Sequence, residues 1–343
     1  MMRALIAMSG GVDSSTAAYL AMKKGYECVG ANMRLFDGSN TKDAEDAAAA
    51  ADRLGIPFHI IDLSAEFRCE VIDRFISAYE NGCTPNPCVD CNHYIKFGAM
   101  FREAEKLGCD IIVTGHYART ECADGIYHLK KAADESKDQS YMLCSLTQDK
   151  LSRVYFPLGD MQKSQTRQIA EELGFPNARK HDSQDICFVP DGDYASVIEK
   201  YTGKTYPCGT FTDRDGNILG THNGLIRYTV GQRRGLGVAF GRPVYVCGKD
   251  PASNSVILGD ESELYSTELD IGGATYTAEP FPERFRAEIM VRYRRKAAPA
   301  LITVTGENTL HAVFDEPQRA ISPGQAAVIY DKDEVLGGGT ILP

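Results

Sequence analysis

Residues 4–16, ALIAMSGGVDSST, constrain the fold more than any other stretch. Residues 4–8 are mostly apolar and read as a buried strand. Ser9-Gly10-Gly11 is a turn, and Asp13-Ser14-Ser15-Thr16 opens a helix that continues through Ala17, Ala18 and Leu20. A strand that runs through a glycine turn into a helix start is a ready anion site. The N–H groups of the first helical turn have no partner within the helix, and the dipole favours negative charge there. Gly10 and Gly11 let the backbone approach a phosphate with no Cβ in the way. No Gly-Lys-[Ser/Thr] follows, so this is not a Walker A loop, and the dinucleotide pattern GxGxxG is absent. An ordinary helix cap needs only one Ser or Asp. Gly-Gly followed by Asp-Ser-Ser exceeds that need and points to a nucleotide.

The first half of the chain alternates strands and helices. Strands are expected at 26–33, 58–62 and 109–115, and helices at 42–54, 66–79 and 95–107. Such alternation means an α/β, doubly wound parallel sheet covered on both faces. Ligands of these sheets bind at the carboxyl ends of the strands. Met33, Gly115 and His116 fall at predicted strand ends, beside the Gly-Gly loop. Two helical pieces follow, at 165–173 and 194–201. From about residue 205 the texture changes to short alternating runs split by turn signals such as Asp215-Gly216-Asn217, Asn223-Gly224 and Pro323-Gly324. That pattern predicts a small β-rich domain and then a β-barrel. The expected division is 1–203, 204–266 and 267–343.

The 343 residues leave room for two or three domains. No apolar run approaches the ~20 residues that span a bilayer, and residues 1–8 are too short and too weakly apolar for a signal peptide. A cytoplasmic location is expected. Eleven cysteines in that setting argue for reduced thiols, metal ligands or redox chemistry, not a disulfide framework. The net charge of −10 argues against a polyanionic partner only as a global average. Residues 284–296, RFRAEIMVRYRRK, hold six basic residues and one acid, and residues 222–242 hold Arg227, Arg233, Arg234 and Arg242 with no acid. Such strips suit a nucleic acid gripped in one place. On charge alone, solvated strand faces are the simpler reading.

Residues 84–98, TPNPCVDCNHYIKFG, place Cys88 and Cys91 as C-x-x-C. Pro85 and Pro87 are expected to keep the approach out of a helix. A helix beginning near Ile95 would then put Cys91 by its N-terminus, where a thiol pKa falls. A lone C-x-x-C serves a redox pair, half a zinc site or part of an iron–sulfur site. Cys187, in Ser183-Gln184-Asp185-Ile186-Cys187-Phe188, is the remaining candidate. Cys28, Cys109, Cys144 and Cys247 lie in apolar or strand-like surroundings that fit core packing.

SGGVDSS resembles the pyrophosphate loop of the N-type ATP pyrophosphatases, which bind the diphosphate of ATP there and adenylate a carbonyl oxygen of a second substrate. The order SGGVDSS, NPCVDCNxxIKF, TGHY, KDQSYML, SQDICF, YTVGQRRGLG, VRYR and SPGQAAVIYD resembles the tRNA-specific 2-thiouridylases over essentially the whole chain. That resemblance implies an ATP-dependent transferase that replaces the 2-oxygen of the wobble uridine of tRNA by sulfur and releases AMP and diphosphate. It implies ATP and Mg²⁺ as cofactors, with nucleotide contacts at Ala7, Met8, Ser9, Gly10, Gly11, Val12, Asp13, Ser14, Met33 and Gly115. It implies tRNA contacts at Asn86, Pro87, Cys88, His116, Lys137, Asp138, Gln139, Arg292, Tyr293 and Gln325. Asp13 would help position the loop or metal, Cys187 would carry a persulfide, and Cys91 would be its partner nucleophile, leaving a Cys91–Cys187 disulfide after sulfur release. A sulfur-donor protein or persulfide source is then required. Many relatives carry Asp where this chain has Cys88. Cys88, Cys91 and Cys187 as three ligands of a [4Fe–4S] cluster therefore stand as the alternative mechanism. Another adenylating pyrophosphatase and a non-catalytic tRNA-binding protein are the remaining alternatives.

Overall fold

The first strand, Arg3–Ala7, faces two separate cores. Leu5 packs with Val29, Ala31 and Ile112 on one side, and Ala4 and Ile6 pack with Cys28, Ile111 and Val113 on the other. This two-residue alternation with both faces buried is what a central parallel strand requires. Each large apolar side chain so buried contributes about 1.5–3 kcal/mol. The computed structural model describes residues 1–36, 38, 41–180, 186–189, 192–238 and 241–343.

Five parallel strands form the first sheet, in the order Phe58–Asp62, Glu27–Arg34, Arg3–Ala7, Ile111–Val113 and Val154–Tyr155. The order reverses direction between the first strand and Ile111–Val113, so the crevice at their carboxyl ends is the switch point where doubly wound sheets take ligands. The SGGVDSS loop leaves one of these strands and Thr114-Gly115-His116 leaves the other. One face is covered by Val12–Lys23 and Thr41–Leu54, through buried Ala17, Ala18, Ala21, Ala47, Ala50 and Ala51. Small side chains let these helices lie close. A Cβ on Gly10, whose φ is +74°, would fall 2.1 Å from the carbonyl oxygen of Asp43.

The opposite face carries two long helical runs. Ser64–Phe67, Arg68–Asp73 and Arg74–Glu80 follow one another, and so do Pro87–Asp90, Cys91–Ala99 and Met100–Lys106, with π-type turns in the middle of each run. The second run corrects the sequence expectation, because it starts at Pro87 and not near Ile95. Asn86 caps it by accepting from the Cys88 N–H at 3.2 Å, and Pro87 takes the first helical position, where its missing N–H costs nothing. The expectation that Pro87 would exclude helix failed for this reason.

Between the fourth strand and the fifth lies a hairpin, Ala118–Ala123 and Ile126–Lys131. Asp124 and Gly125 both have positive φ, 52° and 83°, as a two-residue primed turn demands. The hairpin leaves the first sheet and joins the C-terminal one. Its second strand pairs with Glu334–Ile341 through Glu334↔Lys130 and Val335↔Leu129. Six strands close the C-terminal barrel, in the order Tyr265–Tyr276, Thr309–Arg319, Ala298–Gly306, Arg284–Met290, Ala326–Asp331 and Glu334–Ile341, the last pairing back to the first. The middle unit is a four-stranded sheet ordered Tyr245–Asp250, Ser255–Gly259, Gly209–Thr212 and Ile218–His222, closed over Phe211, Val246 and Leu258. A barrel and a small β-rich unit are what the turn-rich texture of the second half predicts.

Candidate active site between the phosphate loop and the cysteine helix

At the switch point the two loops touch. A Cβ on Gly115 would lie 2.7 Å from the Asp13 carbonyl carbon and 2.8 Å from the Ser14 nitrogen, so only glycine permits this approach. Ala7 ends the first strand, and Met8 and Val12 are buried beneath the turn. The Ser14 hydroxyl donates to the Gly11 carbonyl at 3.0 Å and accepts from the Ser9 N–H at 3.1 Å, which fixes the turn's shape. Gly11 is the N-cap of Val12–Lys23 and makes no side-chain cap. The first-turn donors therefore keep their capacity for an anion. Met33, half-buried at the end of the second strand, lies beside this crevice.

Residues distant in sequence hold the loop. Lys163 places its Nζ 2.7 Å from both carboxylate oxygens of Asp13. The Tyr117 hydroxyl donates to Asp13 Oδ1 at 3.0 Å and lies 2.9 Å from Thr166 Oγ1. Asn177 donates to the Gly10 carbonyl and to Ser15 Oγ, both at 3.0 Å. Lys180 reaches the Gly10 carbonyl at 3.3 Å and pairs with Asp43 at 2.6 Å and Asp46 at 2.8 Å. The sequence reading missed all four of these residues. Tyr117 closes the TGHY block without a role assigned to it, and the other three belong to no motif, so only the fold reveals what they do.

His116, one residue beyond Gly115, is buried. Burial, with Lys96 nearby, lowers its pKa well below the ordinary histidine value. Lys96 Nζ lies 3.4 Å from its Nε2, and Thr114 Oγ1 lies 2.7 Å from its Nδ1. Lys96 belongs to the helix that carries the cysteines. Burial pushes the Cys91 thiol up to about 12, and Lys96 opposes that rise. The expectation of a lowered thiol pKa is corrected here. Cys91 sits in the second turn of the helix and is enclosed by protein, so desolvation outweighs any pull from the helix terminus. Cys88 and Cys187 keep some solvent-exposed surface, yet they are surrounded closely enough that burial raises both, Cys187 to about 11. Lys96 lowers each of these as well. Cys187 is close enough to Cys88 and Cys91 for their charges to interact, so the fold brings all three thiols together across nearly a hundred residues. The thiols are free, with no disulfide between them. Residues 183–185 of the SQDICF block lie outside the described residues.

Among the described residues no group of three His, Cys, Asp or Glu side chains is disposed to hold a metal ion. Asp90, between Cys88 and Cys91, is raised to about 6 by burial, with Arg74 at 3.8 Å opposing.

The segments expected to meet RNA converge beside the cysteines. Asn86 approaches Met142 Sδ at 3.6 Å, and the Tyr293 hydroxyl donates to the Asp138 carbonyl at 3.1 Å. The Asp138 carboxylate is turned inward. It accepts from the Ala132 N–H and the Ser140 hydroxyl, both at 2.8 Å, although burial raises its pKa. Gln139 accepts from the Tyr117 N–H at 3.0 Å, and Lys137 is half-exposed. Arg292 is half-buried, whereas Arg294, Arg295 and Lys296 project into solvent. Gln325 is buried. Its amide donates to the Thr84 carbonyl at 2.8 Å and the Pro85 carbonyl at 3.3 Å, bracing the approach to Cys88. In the other basic strip, Arg227 pairs with Glu199 and Arg242 with Asp260, while Arg233 and Arg234 are exposed.

A nucleotide-binding HUP domain followed by two β domains is the class that fold and site define. Residues 2–191 match the tRNA methyl transferase HUP domain, 195–260 the tRNA methyl transferase PRC-barrel domain, and 266–341 the aminomethyltransferase beta-barrel domain. Relatives described as tRNA-specific 2-thiouridylase MnmA match nearly end to end. The protein from Clostridioides difficile is 43% identical over 99% of this chain and 98% of its own length. Those from Carboxydothermus hydrogenoformans and Syntrophotalea carbinolica are 44% and 46% identical, over 99% and 98% of this chain and 97% of their own lengths. The chain belongs to the tRNA-specific 2-thiouridylase family.

Proposed function

We propose that this chain uses ATP to replace the 2-oxygen of the wobble uridine of tRNA by sulfur. The supporting observation is the continuous path from Asp13 and Gly115 through His116 and Lys96 to the three thiols. In this reading an anion site and a sulfur site lie at the two ends of that path.

In this reading the Gly-Gly loop grips the diphosphate of ATP. The uracil O2 attacks the α-phosphorus, diphosphate leaves, and the N3 proton is lost. A uracil oxygen is a poor leaving group, and adenylation lets it depart as AMP. Mg²⁺ accompanies the triphosphate and supplies charge neutralisation at the leaving group, with Asp13 the carboxylate of the loop that would meet it. The terminal sulfur of a Cys187 persulfide then attacks C2, and AMP leaves. Cys91 thiolate attacks the Cys187 sulfur, which frees the base as a thiolate that regains its N3 proton from solvent and leaves a Cys91–Cys187 disulfide. Two thiols are oxidised while one sulfane sulfur is reduced, and an external reductant restores the pair. Lys96 favours each thiolate that this sequence needs. The persulfide comes from a sulfur donor in the cytoplasm.

The base must leave the anticodon stack to reach this crevice. Asn86, Pro87 and Cys88 flank it, and Lys137, Arg292 and Tyr293 border it with groups that bind phosphate or stack on bases. His116, Asp138, Gln139 and Gln325 support the site from behind. The test combines two assays. AMP formation from ATP should require tRNA, and the tRNA should acquire a thiolated base, read by retardation in a mercury-containing gel. AMP formation that is independent of tRNA would falsify the reading.

A further inference from the structure

Asp13 puts a carboxylate in the loop that is read as the seat of a triphosphate. A bare carboxylate there repels the ligand. In the structure that charge is met by Lys163, which begins the helix Lys163–Glu172 and holds both carboxylate oxygens at 2.7 Å. The lysine side chain is only 11% exposed. Its placement is fixed from both ends of the residue. The Lys163 N–H donates to Asp134 Oδ2 at 3.0 Å, and the preceding Gln162 forms a reciprocal cap with Gln165. The Tyr117 hydroxyl adds a third hydrogen bond to the carboxylate and approaches Thr166 on the same helix.

We propose that Lys163 is a positioning residue of the phosphate site. By pairing with both oxygens of Asp13 it cancels the charge that would turn away a nucleoside triphosphate, and it fixes the face that the carboxylate presents. The proposal rests on the nucleotide reading of the loop. It differs from a role as a direct phosphate ligand, because Lys163 then matters only while Asp13 carries its charge.

The experiment is equilibrium dialysis of ATP against the full chain in EDTA, so that Mg²⁺ does not shield the carboxylate. Lys163→Met should weaken ATP binding by about tenfold or more. Raising KCl should narrow the gap to wild type, since salt screens repulsion. Asp13→Asn combined with Lys163→Met should return ATP binding to within about threefold of wild type, because neither charge remains. If Lys163→Met alone does not fold, judged by circular dichroism and retained tRNA binding, the double variant and its salt dependence carry the test. A double variant as weak as Lys163→Met makes Lys163 a phosphate ligand and overturns the proposal. So does Lys163→Met binding like wild type. Wild-type protein that takes ATP with Mg²⁺ but not in EDTA assigns the neutralisation to the metal, and overturns it too. No ATP uptake in either condition overturns the nucleotide reading itself.

Discussion

At the phosphate-loop end, Asp13 takes hydrogen bonds from Lys163 and Tyr117, and Lys180 spans Gly10, Asp43 and Asp46. At the cysteine end, three thiols share one lysine, and the protein around them raises the pKa of each. The buried Thr84 hydroxyl and Asn92 carbonyl oxygen near that end also lack partners. The charged side chains of the first end are paired before ligand arrives, although the Asn177 side-chain oxygen there is also without a partner. At the second, the surroundings favour the protonated thiols.

That contrast breaks first at the cysteines. Cys91→Ser and Cys187→Ser should each lower thiolation by about a thousandfold or more while leaving tRNA-dependent AMP formation in place. Cys88→Ser should remain active, measured on iron-free enzyme with ATP, Mg²⁺ and a persulfide donor. Equal loss in Cys88→Ser would revive a three-cysteine site. At the other end, Asp13→Ala should reduce AMP formation by about a hundredfold with tRNA affinity nearly unchanged. Retained AMP formation would remove Asp13 from the mechanism.

Neutralising Arg292, Arg294 and Arg295 together should weaken tRNA binding by roughly tenfold or more and flatten the salt slope by up to about three units. An unmoved slope would make the loop a merely solvated face. The contrast sharpens with chemical labelling. Because the Cys91 thiol titrates near 12, its alkylation by iodoacetamide should rise about tenfold per pH unit between pH 7 and 9. Lys96→Met should slow that alkylation a further several-fold. A rate that is flat with pH would show a thiolate already formed.

The smallest effect concerns Asp90. Its folded-state pKa, about 6, lies above the ordinary 3.8, so the fold favours the protonated form. That contribution is present below about pH 4 and is lost as pH rises through 6. Asp90→Asn should therefore stabilise the protein at pH 8, by up to about 3 kcal/mol, and hardly at all at pH 4. An equal change in thermal midpoint at both pH values would refute the assignment.

The phosphate loop, the strand ends and the cysteine block were legible because each is a local pattern with its own backbone chemistry. The helix start at Pro87 was also written locally, as Asn86-Pro87, but the two prolines were read as breakers. The hairpin at Asp124-Gly125 had its turn signal and alternating flanks, yet its attachment to the barrel depends on a pairing two hundred residues away. Lys163, Lys180 and Asn177 carry no pattern at all, and Tyr117 stands in the TGHY block with nothing there to show its partner. Their roles arise from placement across 104 to 170 residues of chain. The thiol pKa failed for a related reason, since sequence gives a residue's neighbours along the helix but not its solvation.

The hairpin that crosses from the catalytic domain into the barrel has a mechanical consequence. Its strand shares a hydrogen-bonded ladder with Glu334–Ile341, and the Lys131 N–H donates to the Asp333 carbonyl at 2.7 Å. Gln325 ties the barrel a second time, to the residues just before Cys88. The exposed arginines after Val291 therefore sit at a set separation from the cysteines. Such a frame works as a calliper, whose two jaws keep one spacing whatever is set between them.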